Sequence, residues 1–329
     1  MKNRIFVCDA VENISRIYDG LFEKLGCETK IFTKNDVISS PEAFREVKEI
    51  FSTWGMPRFS EEEIARCFPS LRCVYYGAGT VQGFAREFLN KGIRVFSAWA
   101  ANAVPVAEFT VSEIVLCMKG FFYSANCLSC GKIAEARENM IRAHGNYGYK
   151  VGILGPGMVG REVIRLLKNC ECEILVFAPF LSDSDAEALG VKKASLDEIF
   201  SECDVVSNHL ANNAETRGML RGKHFAMMKE NSFFINTGRG AQIVESELCD
   251  VLAQRPDITA FLDVTDPEPP KPDSPFYTLP NVILTPHIAG SLGSEVRRMG
   301  LYMAEEAERV AKGEPAKWEV TLEMLKTMA

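Results

Sequence analysis

The chain has 329 residues, which is long enough for two domains that each bury a hydrophobic core. Its composition, 47% hydrophobic and 25% charged, is that of an ordinary globular protein and excludes a disordered or fibrous class. A formal net charge of -7, with no dense run of Lys and Arg, argues against a nucleic-acid partner. We identify no signal peptide and no apolar run of membrane-spanning length, so no membrane association is expected.

The eleven cysteines are scattered along the chain. The close pairs are Cys127 with Cys130 and Cys170 with Cys172, and no nearby His completes a zinc-binding set. We therefore predict reduced thiols, no metal site and a cytoplasmic location.

Strand-like runs alternate with helical segments over the first hundred residues. The five predicted strands are residues 5–8, 29–33, 49–54, 71–76 and 93–97. The predicted helices lie at residues 15–25, near Pro41, and after a capping box formed by Ser60 and Glu63. This alternation predicts a parallel sheet with helices on both faces.

A long helical pattern at residues 104–127 follows and is expected to bridge two domains, with a surface helix and loop at 130–149. Six further strand-like runs are predicted at residues 151–154, 173–177, 205–209, 233–237, 260–264 and 282–285. This is the strand count of a doubly wound dinucleotide-binding domain. Helical patterns separate most of these runs, and one begins with a capping box formed by Ser195 and Glu198. The predicted fold is therefore α/β, with a Rossmann domain at 101–293 and a flavodoxin-like substrate-binding domain at 1–100 and 294–329.

A glycine-rich turn, Gly155-Pro156-Gly157-Met158-Val159-Gly160, joins the first of these six strands to a helical pattern. Gly155 permits a tight turn, Gly157 lets a pyrophosphate approach the backbone, and Gly160 allows close packing of helix and strand. The start of the helix, at Met158 and Val159, would meet the phosphates with free N–H groups. A purely structural turn is the alternative.

An acidic residue that binds the ribose 2′-hydroxyl is normally found at the end of the second strand of such a domain. Ala178 stands at that position, and no Arg is present there to hold a 2′-phosphate. The cofactor is therefore predicted to be NAD or NADP, with the choice open.

Three polar residues, Arg239, Glu268 and His287, each follow a short apolar run. Pro286, which precedes His287, predicts an extended backbone from which the imidazole projects. Ligands of a parallel sheet bind beyond the carboxyl ends of its strands, which makes this set a candidate catalytic site. Arg239 can hold a carboxylate with two hydrogen bonds, His287 can exchange a proton with a carbonyl or hydroxyl oxygen, and Glu268 can orient the imidazole. A buried structural His and a surface ion pair of Arg239 are the alternatives.

The chain resembles the D-isomer-specific 2-hydroxyacid dehydrogenases over nearly its whole length. The segments that carry the resemblance are 155–160, 209–210, 215–218, 234–240, 262–264, 267–269 and 285–290. The resemblance implies a catalytic set of Arg239, Glu268 and His287. It also implies that Thr237, Gly238, Asp263 and His287 lie beside the cofactor, with Asp263 on the nicotinamide carboxamide side.

In the first domain, the segment Tyr76-Gly77-Ala78-Gly79-Thr80 resembles the family loop whose N–H groups hold the substrate carboxylate. Trp54 follows the third predicted strand, where a basic residue would suit a phosphorylated substrate such as 3-phosphoglycerate. We interpret Trp54 as a pocket wall that selects a small or apolar substituent, with a plain core tryptophan as the alternative.

The sequence thus predicts hydride transfer between a nicotinamide and C2 of a D-2-hydroxy or 2-oxo acid, in a cleft between the domains. His287 would be the general acid/base, supported by Glu268, and Arg239 would hold the substrate carboxylate. A homodimer through the long helix and the segment after it is expected. Two alternatives stay open: an NAD(H)-sensing interaction protein of the C-terminal-binding-protein type without significant turnover, and a dehydrogenase for a larger sugar acid.

Overall fold

The computed structural model describes residues 3–326, and the chain divides into two compact units. The first unit comprises residues 1–102 and 291–329, and the second comprises residues 103–290. These divisions fall within three residues of the domain boundaries predicted from the sequence.

The first unit contains five parallel strands in the order β5-β4-β3-β1-β2. They are β1 (Arg4–Val7), β2 (Ile31–Phe32), β3 (Glu49–Ser52), β4 (Cys73–Tyr76) and β5 (Arg94–Ser97). A sixth strand, Glu319–Val320, pairs antiparallel with β5 and was not predicted. It is only two residues long, so it leaves no alternating hydrophobic pattern in the sequence.

Helices cover this first sheet. They are Val11–Ile17, Phe22–Leu25, Lys34–Ser39, Glu61–Cys67, Ala85–Asn90 and Val296–Ala311, with short 3-10 turns at Pro41–Phe44, Gly293–Glu295 and Met324–Lys326. The capping box is present, since the Ser60 hydroxyl accepts the Glu63 N–H. The single helix predicted at 15–25 is wrong: the chain turns at Gly20, whose φ is +74°, and forms two short helices.

The second unit contains seven parallel strands in the order β12-β11-β10-β9-β6-β7-β8. They are β6 (Tyr147–Leu154), β7 (Glu171–Phe177), β8 (Lys192–Lys193), β9 (Val205–Asn208), β10 (Phe233–Asn236), β11 (Thr259–Leu262) and β12 (Val282–Leu284). The six predicted strands are present, and two-residue β8 was missed. The strand order reverses between β6 and β9, which is where doubly wound sheets bind their ligands.

Both faces of this second sheet are buried, as a parallel sheet requires. Val205 and Ile235 pack into one hydrophobic cluster, whereas their neighbours Val206 and Phe234 pack into another. The covering helices are Met158–Leu167, Asp183–Leu189, Leu196–Glu202, Gly222–Ala226 and Glu245–Gln254, with 3-10 turns at Gly240–Gln242 and Pro275–Tyr277. The predicted capping box at Ser195 and Glu198 is present.

The long helix runs over Trp99–Met118, not over residues 104–127 as predicted. It ends before Gly120, which adopts the left-handed conformation with φ of +61°, and the chain continues as helices Phe121–Ser129 and Ile133–Arg142. By length and composition alone this helix could cross a membrane, so the prediction that no run reaches that length was wrong. However, Ile114 and Met118 are fully buried in the core of the second unit, and core helices of soluble proteins pass the same test.

Candidate active site

The glycine-rich turn between β6 and the helix Met158–Leu167 has the backbone shape expected of a phosphate-binding turn. Gly155 has φ of +85°, and a Cβ atom built there would lie 2.9 Å from the His209 carbonyl oxygen. A Cβ at Gly160 would lie 2.3 Å from the Gly155 carbonyl oxygen. Any larger residue at these two positions would therefore displace the backbone.

The space in front of this turn is open. A Cβ at Gly157 would meet nothing within 4 Å. No side chain caps the start of the helix at Gly157, so its first N–H groups keep their capacity to bind an anion. The turn therefore fits the pyrophosphate of a dinucleotide, and Met158, which is exposed, and half-buried Val159 begin the helix there.

A cavity of about 400 Å³ lies at the carboxyl ends of β7 and β8. Its lining includes Ala178, Lys193, Ser195 and Glu198. Ala178 presents only a methyl group, as the sequence indicates. The Lys193 ammonium donates a hydrogen bond of 2.8 Å to Asp183, so this cation already has an anionic partner.

His287 and Glu268 are in direct contact beyond the ends of β11 and β12. The distance between His287 Nδ1 and Glu268 Oε1 is 2.7 Å, and the two side chains are 46% and 42% exposed. A carboxylate only accepts hydrogen bonds, so Nδ1 carries the proton that it donates, and Nε2 is left for a substrate. The alternative that His287 is a buried structural residue is therefore wrong.

The backbone at His287 is not extended, contrary to the conformation that Pro286 predicted. Its φ is +55°, in the left-handed region, which is uncommon for a residue other than glycine. The His287 N–H donates to the carbonyl oxygens of Asp263 and Thr285, both at 3.0 Å. These bonds close a tight turn and project the imidazole next to Glu268.

The Asp263 carboxylate holds this turn together. Oδ1 accepts hydrogen bonds from the Thr285 hydroxyl at 2.6 Å and the Ile288 N–H at 2.8 Å, and Oδ2 accepts the Ala289 N–H at 3.0 Å. Asp263 is 4% exposed. Sequence reasoning assigned it only to the cofactor and missed this structural role, because the three donors lie more than twenty residues away.

Arg239 lies beyond the end of β10 and is largely buried. Its Nη1 donates to the Gly238 carbonyl oxygen at 2.7 Å, and within residues 3–326 the guanidinium forms no ion pair. The alternative of a surface ion pair is therefore wrong. Burial lowers the pKa of Arg239 below its usual value, and the negative charge of Glu268 acts in the opposite direction. The guanidinium stays charged at neutral pH and retains donors for an anion.

A network of buried amides supports the Arg239 segment. Asn208 Nδ2 donates to Asn236 Oδ1 at 2.9 Å and to Gln242 Oε1 at 2.6 Å. Asn236 in turn donates to the Arg239 carbonyl oxygen at 3.1 Å and accepts the Gly238 N–H at 3.1 Å. No pattern in the sequence predicts this network, since the three amide side chains have no recognisable spacing.

The helix Trp99–Met118 contributes two further polar residues to this end of the second sheet. Thr110 and Thr237 share a hydrogen bond of 3.1 Å between their hydroxyl groups. One turn later, Glu113 is 7% exposed, and its Oε2 atom has no hydrogen-bond partner in the described part of the chain. Burial raises the pKa of Glu113 to about 8, and the charge of Asp263 acts in the same direction.

The remaining predicted residues lie in the first unit. Ala78 and Gly79 follow β4, and a Cβ at Gly79 would meet nothing within 4 Å. Trp54 follows β3 and is 36% exposed, so the alternative of a core tryptophan is wrong. Within residues 3–326 there is no group of three side chains that could hold a metal ion.

Doubly wound topology and a glycine-rich βα turn at the strand-order reversal define a dinucleotide-binding protein, and a histidine–carboxylate pair lies at its strand ends. The model of the D-isomer specific 2-hydroxyacid dehydrogenase NAD binding domain matches residues 112–289, more than half of the chain. The chain belongs to the D-isomer specific 2-hydroxyacid dehydrogenase family, as the sequence motifs predicted.

Proteins related to this chain are named after several different substrates. It is 31% identical over 232 residues to a D-3-phosphoglycerate dehydrogenase of Archaeoglobus fulgidus, covering 70% of this chain and 44% of that protein. It is 30% identical over 254 residues to an (S)-sulfolactate dehydrogenase of Chromohalobacter salexigens, covering 77% and 81%. The chain thus spans less than half of the Archaeoglobus relative.

A solved structure of similar fold is a phosphoglycerate oxidoreductase from Rhizobium etli. It superposes with a TM-score of 0.81 at 23% sequence identity and covers 98% of this chain and 99% of that one. At this identity the likeness establishes the fold alone.

Proposed function

We propose that the protein transfers a hydride between a nicotinamide cofactor and C2 of a D-2-hydroxy acid or the corresponding 2-oxo acid. The observation that carries this proposal is the 2.7 Å hydrogen bond between His287 Nδ1 and Glu268 Oε1. It fixes the imidazole with Nε2 directed away from the carboxylate, which is the arrangement required of a general acid/base.

The residues of the chain take distinct parts in this reaction. In the reducing direction, His287 donates a proton from Nε2 to the carbonyl oxygen while C2 accepts a hydride, which the bound nicotinamide supplies. Glu268 stabilises the charged imidazole before this transfer. Arg239 holds the substrate carboxylate through guanidinium N–H groups that no ion pair occupies within the described residues.

The cavity beside Ala178 favours NAD over NADP as the cofactor. A 2′-phosphate would need a free cation there, and Lys193 is already hydrogen-bonded to Asp183 at 2.8 Å. Glu198, which also lines the cavity, would repel a phosphate. Backbone groups at the end of β7 would then bind the ribose, each more weakly than a carboxylate would.

A homodimer is part of the proposal. The helices Phe121–Ser129 and Ile133–Arg142 expose several large apolar side chains, among them Phe121, Ile133 and Ile141, which is 81% exposed. Exposed apolar side chains concentrated on two consecutive helices are typical of a protein interface. Light scattering should give twice the mass of the 36.6 kDa chain, and Ile141→Glu should shift the protein towards monomer.

We further propose a cytoplasmic protein that acts on a small molecule, with neither nucleic acid nor membrane as a partner. None of the eleven cysteines forms a disulfide within residues 3–326, and seven of them are buried, as suits a reducing compartment. Fractionation of cells that express the chain would test the location.

The function is tested by following nicotinamide absorbance with NADH and, separately, NADPH against a panel of 2-oxo acids. The panel runs from glyoxylate and hydroxypyruvate to pyruvate, branched, aromatic and sugar-derived acids. Turnover that is lost in a His287→Gln variant would support the proposal. Binding of NADH without turnover of any acid would instead favour the nucleotide-sensing interaction protein.

A further inference from the structure

The segment that follows β4 has three successive carbonyl groups held by two buried hydroxyls. The Thr53 hydroxyl donates to the Gly77 carbonyl oxygen at 2.8 Å. The Ser97 hydroxyl lies 2.9 Å from the Ala78 carbonyl oxygen and 2.6 Å from that of Gly79, so it shares its proton between them. Thr53 and Ser97 are both 0% exposed, so neither hydroxyl exchanges these bonds for water.

The two hydroxyls reach the segment from both sides, because β4 lies between β3 and β5. Ser52 of β3, Tyr76 of β4 and Ser97 of β5 stand side by side in the sheet register. Thr53 is the first residue after β3, and Ser97 is the last residue of β5. The carbonyl groups are thus tied to the ends of two strands of the first sheet, β3 and β5.

Fixing these carbonyls also fixes the N–H groups that follow them. In a trans peptide the C=O bond of one residue and the N–H bond of the next point in opposite directions. The bonds from Thr53 and Ser97 therefore turn the N–H groups of Ala78 and Gly79 away from the two hydroxyls. Within residues 3–326 neither of these N–H groups donates a hydrogen bond.

An unpartnered N–H at Ala78 calls for an external acceptor. Ala78 is 0% exposed, and buried backbone N–H groups are almost always paired in folded proteins. Next to it, a Cβ at Gly79 would meet nothing within 4 Å, so there is room for a ligand. On the packed side, a Cβ at Gly77 would lie 2.8 Å from the Tyr18 hydroxyl oxygen, so the segment cannot relax in that direction.

We propose that Thr53 and Ser97 are positioning residues. Their hydroxyls hold the 77–79 segment, which resembles the family loop that binds the substrate carboxylate, so that the N–H groups of Ala78 and Gly79 are turned toward that carboxylate. The identity of that carboxylate as part of a 2-oxo acid rests on the proposed function. Loss of either hydroxyl would let the peptide planes rotate, and the preorganised donors would be lost while the rest of the sheet remains.

The test uses full-length variants that differ by one hydroxyl. Ser97→Ala and Thr53→Val remove the hydroxyls, whereas Thr53→Ser keeps the donor. Ser52→Ala is the matched control, because Ser52 is equally buried on the adjacent strand but donates to the Val7 carbonyl oxygen. Oxamate, an unreactive carboxylate analogue, is titrated calorimetrically into protein saturated with NADH, and steady-state kinetics and melting temperatures are measured alongside.

We expect Ser97→Ala and Thr53→Val to raise the oxamate Kd and the KM of the 2-oxo acid roughly tenfold, with kcat changed by less than about threefold. Thr53→Ser should restore binding, and Ser52→Ala should lower only the melting temperature. Unchanged oxamate binding in the first two variants, or an equal loss in Ser52→Ala, would overturn the inference. Absence of turnover in the unmodified protein would instead count against the proposed function, and the oxamate titrations would still decide the role of the hydroxyls.

Discussion

Glu268 and His287 are joined by a hydrogen bond of 2.7 Å, although they are nineteen positions apart in the sequence. The bond depends on the turn that Asp263 closes, since the Asp263 carbonyl oxygen accepts the His287 N–H at 3.0 Å. The geometry of the Glu268–His287 pair is therefore set by the ends of two adjacent strands, β11 and β12, and by one buried aspartate.

Removing the imidazole should stop turnover without unfolding the protein. We expect His287→Gln to lower kcat by roughly 10²–10⁴-fold, the range that general acid/base groups contribute. Glu268→Gln should lower kcat by less, because it removes only the carboxylate that stabilises the charged imidazole. Steady-state kinetics check both, with circular dichroism as the control for folding. Near-normal rates in His287→Gln would contradict the assignment.

The charge of Arg239 and the geometry of its guanidinium can be separated by two variants. Arg239→Lys keeps the positive charge but loses the paired N–H donors, and Arg239→Gln loses both. We expect kcat/KM for the 2-oxo acid to fall in Arg239→Lys by roughly 10–100-fold and further in Arg239→Gln. If the lysine variant matched the unmodified protein, Arg239 would act only through its charge.

The tight turns and helix caps of this chain could be predicted from the sequence, whereas its long-range side-chain contacts could not. The capping boxes at Ser60 and Ser195 and the tight turn at Gly155 each depend on residues within a few positions of one another. The strand ends also followed from local patterns, which placed Arg239, Glu268 and His287 near one sheet edge.

What the sequence did not predict depends on residues brought together by the fold. Asn208 and Gln242 are thirty-four positions apart yet hydrogen-bonded at 2.6 Å, and no periodicity indicates such a pair. The same holds for the Ser97 hydroxyl and the Gly79 carbonyl oxygen. The left-handed backbone at His287 was missed because Pro286 alone predicts an extended chain, whereas distant Asp263 determines the turn.

A hydrogen-bond acceptor introduced at the end of β7 should strengthen the preference for NADH over NADPH. In Ala178→Asp, the new carboxylate can accept a hydrogen bond from the ribose 2′-hydroxyl and would repel a 2′-phosphate. We expect the ratio of NADPH to NADH dissociation constants to rise by roughly tenfold. Titrations followed by nicotinamide fluorescence measure both constants. Ala178→Asn is the control, since it has the same shape without the charge, and an equal shift in that variant would rule out a charge effect.

Because of Glu113, the free energy of unfolding should decrease as the pH rises from mildly acidic to mildly alkaline. Its carboxyl is buried, and the folded-state pKa of about 8 lies above the ordinary value of 4.5. Between these two values the unfolded chain releases a proton that the folded protein keeps, so raising the pH favours unfolding. The stabilising contribution is complete below pH 4.5 and is lost as the pH rises through about 8.

Glu113→Gln removes this titration while keeping the shape of the side chain. From about pH 5 to about pH 8 the melting temperature of Glu113→Gln should therefore rise relative to that of the unmodified protein. Above about pH 8 the difference between the two should level off. Glu108→Gln, which removes an exposed carboxylate from the same helix, is the matched control. A difference for Glu113→Gln that stays constant over this range would show that Glu113 is ionised in the folded protein, and the buried carboxyl would then need a cationic partner.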